Sequence, residues 1–296
     1  LPCHLTGVSA TTSRSVRLFA VIFRRCFIRR SGYAHLVFLI LRLSHIVSQC
    51  DTVTGQAFVG TTKDSGKVVR GSSIQSTPPP LLRGQFLHLV FLATAITLLL
   101  VLSNPGPAYW QGIPVSVWFW SALSIPILHQ VYVLLCWRLE LRSQSVTSRW
   151  GLKRGFRIYT IGFFVLFSSR FLSLLLLAVA DQASLPMSMG LRWALATPIF
   201  LVAGYAMFSV KHYFGFQRAA GIDHFDLAYR TKPMVRDGMF RWTKNAMYTF
   251  AIQATWLFGI LAASRLAMIV AGFQSVYVWV HYFGTEKPDM DYIYHR

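Results

Sequence analysis

From residue 81 onward the chain alternates long apolar runs with short polar segments, and the lengths of the runs set the expected elements. Residues 86–102 are apolar apart from His88 and a few threonines, and the run stops at the turn sequence Ser103-Asn-Pro-Gly-Pro107. Residues 114–137, 156–180 and 191–214 are three further runs near the ~20 residues that cross a hydrocarbon core as a helix. Pro126 lies mid-run in the second, where neighbouring helices can re-satisfy the carbonyl it frees. A last pair, 246–261 and 266–283, joined at Ala262-Ala-Ser-Arg265, reads as a tight helical hairpin. Gly259, Ala262, Ala263 and Gly272 give it small surfaces for close approach, and Arg265 lies at its far interface. Trp110, Trp118, Trp120, Trp137, Trp150 and Trp193 fall near the run ends, as an interfacial belt places them. The fold class expected is all-α: a polytopic membrane bundle of four spans plus a C-terminal helical hairpin.

Composition agrees with this pattern. The 296 residues are 54% hydrophobic yet carry a net charge of +19. Nucleic acid is not the partner this implies, because the cations lie between apolar runs and form no single polar face. They alternate from loop to loop instead. Residues 138–157 hold Arg138, Arg142, Arg149, Lys153, Arg154 and Arg157; residues 103–113 hold no charge; residues 181–190 hold Asp181 alone; residues 211–245 add seven Lys and Arg. The positive-inside rule then predicts that 138–157, 211–245 and the C-terminus share the cytoplasmic side. The four cysteines, Cys3, Cys26, Cys50 and Cys136, have no C-x-x-C pairing and no matching His cluster, so neither a disulfide framework nor a structural metal site is expected.

Residues 1–50 contain seven Arg and neither Asp nor Glu, a composition like that of an organellar transit peptide. The absence of a clear pattern fits better an upstream extension outside the folded enzyme. Within it, residues 36–47 are apolar but too short to span, and suit a basic helix on a membrane surface. Residues 51–80 read as a flexible linker ending in Pro78-Pro-Pro80. The expected division is therefore 1–80, a poorly ordered basic extension and linker, and 81–296, the membrane domain.

Two polar, aromatic-rich segments flank the hairpin and would meet at one membrane face. The first contains Gly238-Met-Phe-Arg-Trp-Thr-Lys-Asn-Ala-Met-Tyr248; the second is Val280-His-Tyr-Phe-Gly-Thr-Glu-Lys-Pro-Asp-Met290. The first resembles the Gly-x-Tyr/Phe-Arg-x-x-Arg-His-Pro-x-Tyr segment of the isoprenylcysteine carboxyl methyltransferase and phospholipid methyltransferase families, and Glu286 falls where those families carry an acidic pair. The resemblance covers roughly the last 65 residues. It implies an integral membrane enzyme that uses S-adenosylmethionine to methylate a lipid-like or prenylcysteine-type acceptor. Lys244, Asn245 and Ala246 stand where the families have Arg-His-Pro, and Lys287 replaces the second acid; Asn245 offers hydrogen bonds but cannot titrate.

The cofactor asks for an acceptor for its ammonium, donors for its carboxylate and an aromatic slot for adenine. Glu286 is the candidate for the ammonium or for a base, with His281 as second catalytic candidate, although five residues apart they do not share an ideal helical face. Arg241 and Lys244 would face the carboxylate, with Asn245 beside them. Gly238 would permit close backbone approach, and Val235, Phe240, Met247 and Tyr248 would wall the adenosine. Asp223, His224 and Asp226 form a polar loop suited to capping the site. Arg170, inside a span, should point inward. Two other readings carry weight: an NADPH-dependent membrane reductase, since residues 238–248 also resemble, more distantly, the C-terminal segment of steroid reductases, and a non-catalytic membrane scaffold.

Overall fold

The computed structural model describes residues 77–294, which lie within one compact unit. The extension, the surface helix over 36–47 and most of the linker lie outside the described residues.

Among the described residues the architecture is helical, with one two-residue hairpin. Helix α1 (Gln85–Leu102) follows Gly84, whose φ of 81° starts it from the left-handed region. Strands β1 (Tyr109–Trp110) and β2 (Ile113–Pro114) turn at Gln111-Gly112, both at positive φ as a tight hairpin turn requires. Helix α2 (Val115–Ser143) contains Pro126, and α3 (Thr147–Ala180) kinks at Gly151, where φ is 71°. Between them Gln144 turns at a φ of 49°, and the buried Glu140 carboxylate accepts from the amides of Val146 and Thr147 and from the Thr147 hydroxyl. That carboxylate caps the amides at the start of α3, while the amides of Ser148 and Trp150 donate to the carbonyls of Gln144 and Val146. Helix α4 (Met189–Ser209) runs into a π-turn, Val210–Phe214.

Residues 215–254 are short turns: α5 (Phe216–Ala219), three 3₁₀ segments, α6 (Ala246–Thr249) and the 3₁₀ turn Ala251–Ala254. Helix α7 (Thr255–Ala262) then reaches the hairpin turn, where Ala263 sits at a φ of 50° and the Ser264 hydroxyl accepts from the amide of Ala267. Helix α8 (Arg265–His281) continues through a second π-turn, Tyr282–Glu286, into α9 (Lys287–Ile293).

Four helices are long and apolar enough to cross a membrane: Val115–Ser143, Thr147–Ala180, Met189–Phe214 and Arg265–Ile293. The count matches the expected spans, but the members differ. The run at 86–102 yields a shorter apolar helix, whereas the second hairpin arm extends 10 residues past the predicted 283, to Ile293. The first arm is broken at Phe250, which leaves the ladder at φ −120°.

The core lies between α2, α3 and α8. Val115, Phe119, Leu174, Leu177, Leu266, Val270 and Tyr277 form its largest cluster. Phe200 and Leu201 of α4 are 64% and 62% exposed, an apolar outer face suited to lipid and not to water. At the end away from the basic loops, Asp181 accepts from the hydroxyls of Ser184 and Ser264 and from the Leu266 amide, and Arg265 donates to the carbonyls of Ser103 and Asn104. The hairpin turn is thereby tied to the ends of α1 and α3. Gly259 explains the close arms: a Cβ there would come within 2.6–2.8 Å of Met268.

Candidate functional site

The site is built where α8 changes pitch. A π-turn opens the helical ladder, and such turns recur at functional positions. Here the carbonyls of Gly284 and Thr285 are met from outside the helix. Gln85 donates to the Gly284 carbonyl at 3.3 Å, and Arg138 donates to both carbonyls at 3.4 and 3.3 Å. The backbone of Gly84 packs against that of Gly284, an approach that leaves no room for a side chain on Gly84.

The turn aims Glu286 at the first polar segment. The Tyr248 hydroxyl donates to the Glu286 carboxylate across 38 residues of sequence. The Tyr248 ring lies edge-on to Trp279, with centroids 6.2 Å apart, and to Tyr282 at 6.0 Å. The two polar segments thus meet, as their positions flanking the hairpin predict.

The other predicted residues divide. Gly238 has a φ of 57°, and a Cβ on it would meet Ser209 Oγ and the Tyr213 ring at 2.7–2.8 Å. Its close backbone approach is therefore to α4 and the π-turn that follows. Phe240 stacks on Phe214 at 5.1 Å and is buried with Met239 and Ala246, while Val235 and Met247 pack against that same cluster. This packing holds the segment to α4. Arg241 and Lys244 are exposed and have no ion-pair partner among the described residues. Asn245 precedes α6 and makes no side-chain cap to it; its backbone amide donates to Thr243 Oγ1. His281 is buried beside Trp137, with ring centroids 5.9 Å apart, and its Nδ1 has no hydrogen-bond partner.

Sequence reading missed the supports of this end. Asp289, fully buried, pairs with Arg138 at 2.5 Å and lies 3.5 Å from His224 Nε2. His224 in turn stacks on Trp137 at 4.0 Å. Arg218 reaches Asp223 at 3.3 Å, the Pro233 carbonyl at 3.0 Å and the Tyr294 hydroxyl at 2.8 Å. Tyr294 also donates to Asp223. Burial and that hydrogen bond push the Tyr294 hydroxyl up to about 12, so it remains a donor across neutral pH. The loop at 221–226 is therefore latched to α9 and its C-terminal end, His224 to Asp289 and Asp223 to Tyr294. Lys287, in contrast, forms only a partly exposed pair with Asp291 at 3.7 Å. The one available signal was the two acids in a Lys-Pro-Asp-Met-Asp run at the end of an apolar helix. Nothing in a single sequence separates Arg138 from its neighbours in the basic loop.

A second polar group lies within the spans. Arg170 donates to Gln274 Oε1 at 3.3 and 3.2 Å and to His129 Nδ1 at 3.3 Å. Guanidinium is donor-only, so His129 carries its proton on Nε2. His88 Nε2 meets the Tyr277 hydroxyl at 2.5 Å. Arg170 points inward, as expected of a charge in a span.

No protein-family model matches this sequence, and no curated protein and no solved structure matches it either.

Proposed function

We propose that the protein is an integral membrane methyltransferase that uses S-adenosylmethionine and acts on a lipid-like or prenylcysteine-type acceptor. The observation that carries this reading is the Tyr248–Glu286 hydrogen bond, which joins the segment resembling the methyltransferase families to the acid that follows the hairpin. The donor set fits the cofactor. Glu286 is a carboxylate with one oriented donor on it, Tyr248, Trp279 and Tyr282 form an aromatic group around that donor, and Arg241 and Lys244 of the same segment as Tyr248 are exposed cations without an ion-pair partner among the described residues.

S-adenosylmethionine, when bound, supplies the methyl group. The chain's own residues bind and orient. Glu286 receives the ammonium, with its position fixed by Tyr248; Arg241 and Lys244 face the carboxylate; the aromatic group walls the adenine and keeps water from the reacting centre. Phe240, Val235 and Met247 act one layer further out, by holding the segment to α4. His281, buried on the same helix as Glu286 and with an unpartnered Nδ1, is the second candidate base for an acceptor that arrives protonated. A lipid-like acceptor is supported by the location, at one end of helices whose outer faces are apolar. The positive-inside rule, applied to the basic loops, supports a cytoplasmic location for that end.

The test is which cofactor the purified protein binds in nanodiscs. S-adenosylmethionine binding, followed by label transfer from its methyl group into membrane lipid, is the expected result. NADPH binding instead would replace this reading by a reductase, and binding of neither by a scaffold.

A further inference from the structure

Away from the Tyr248–Glu286 pair, a groove of about 940 Å³ runs along the outer face of α3, between it and the segment around Gln217 and Ile222. Its two ends differ in chemistry. Lys153 and Arg157 line the end nearest the α2–α3 turn; both are exposed, and neither has an ion-pair partner among the described residues. The other end is apolar and open, with Ile161 60% and Val165 59% exposed beside Phe164. Buried Phe156 and Ile222 form part of the floor, and Phe164 is held by an edge-on contact with Phe216.

The spacing fixes the kind of molecule that fits. Lys153, Arg157, Ile161 and Val165 are four residues apart along one helical stripe, which is ~18 Å long at ~1.5 Å per residue. That is close to one leaflet, half of the ~30 Å hydrocarbon core. Two cations without an ion-pair partner among the described residues, at the polar end of a groove whose apolar stretch from Arg157 to Val165 is ~12 Å long, call for an anionic group attached to an acyl chain. A soluble anion would use the cations and leave the groove unfilled; a zwitterionic lipid would fill the groove and bring its own cation to Lys153 and Arg157.

We propose that this groove is a binding site for an anionic phospholipid, with the phosphate held by Lys153 and Arg157 and one acyl chain laid along Ile161, Phe164 and Val165. The site is separate from the proposed methyl-transfer site, and it stands whatever reaction the protein performs.

The experiment is native mass spectrometry of the full chain, titrated with phosphatidylglycerol and with phosphatidylcholine of the same acyl chains. A cation near an anionic surface is worth about a factor of five, so two should give phosphatidylglycerol a roughly 25-fold preference. The double variant Lys153→Gln/Arg157→Gln should bring it to the phosphatidylcholine level. Arg154→Gln, which removes an adjacent cation outside the groove, should leave the preference intact, and Ile161→Trp, which fills the groove, should weaken both lipids. Glycerol phosphate without a chain should not compete at lipid-equivalent concentration. A preference that is absent, that survives the double variant, or that falls equally with Arg154→Gln would overturn the proposal, as would competition by glycerol phosphate.

Discussion

Asp289 is the residue on which the basic end depends most. Its carboxylate is fully buried and faces Arg138, itself buried, and His224. Removing one partner of such a pair leaves an uncompensated charge, which costs about 3–5 kcal/mol. Asp289→Asn, nearly isosteric, should therefore lower stability by that amount, and Arg138→Met/Asp289→Asn should cost less than the sum of the two single changes, because the partners act as a unit. Thermal unfolding in detergent of the three variants checks this; additive losses would mean that the ion pair is not the unit of stability. Gly238 gives a second case. A side chain at its positive φ costs ~1–2 kcal/mol before any clash with Ser209 and Tyr213. Gly238→Ala should lose about 2 kcal/mol or more in the same assay.

The element scale shows what hydropathy reveals and what it hides. Apolar runs of span length are legible because the bilayer demands ~20 such residues whatever their order, and α2, α3 and α4 follow from that demand. The end of α8 was not legible. Glu286, Lys287 and Asp289 read as residues beyond a helix, yet the helix continues through a π-turn to Ile293, because Arg138 and Gln85 meet the carbonyls that the turn opens. The break at Phe250 likewise carries no Pro or Gly signal; it comes from tertiary packing of α6 against α4. For the site, the meeting of the two polar segments was readable from their places around the hairpin. The inward packing of Phe240 was not, since an aromatic in an apolar setting reads equally as a wall or as core. Close packing of the hairpin arms yields its own prediction. Gly259→Ala puts a methyl against the Met268 backbone at 2.8 Å and should cost ~1–3 kcal/mol, whereas Gly272→Ala meets Trp256 at ordinary contact distance and should be nearly neutral. Equal losses in the two would contradict the geometry.

At the scale of the whole molecule, one end of the bundle gathers the α2–α3 turn, the 215–245 segment and α9, bound together by Arg138, Arg218 and Asp289. Cysteines introduced at Gln144 and Tyr294, in a background without the native ones, should label from the same membrane face; labelling from opposite faces would break this arrangement. The carbonyls of Pro79 and Pro80 accept from Arg142 and Arg138. A chain beginning at Thr77 should therefore unfold at a higher temperature than one beginning at Leu81, a difference absent if those contacts contribute nothing. Glu286 is proposed to anchor the cofactor at this end, and isothermal titration of S-adenosylmethionine against Glu286→Gln measures that anchor. The substitution keeps the shape and removes the charge. Since a charge-assisted hydrogen bond is worth roughly 1.5–3 kcal/mol, affinity should fall by about one to two orders of magnitude. Tyr248→Phe, which removes only the hydroxyl that orients Glu286, should lose less. Binding to Glu286→Gln as tight as to the unaltered protein would contradict the account.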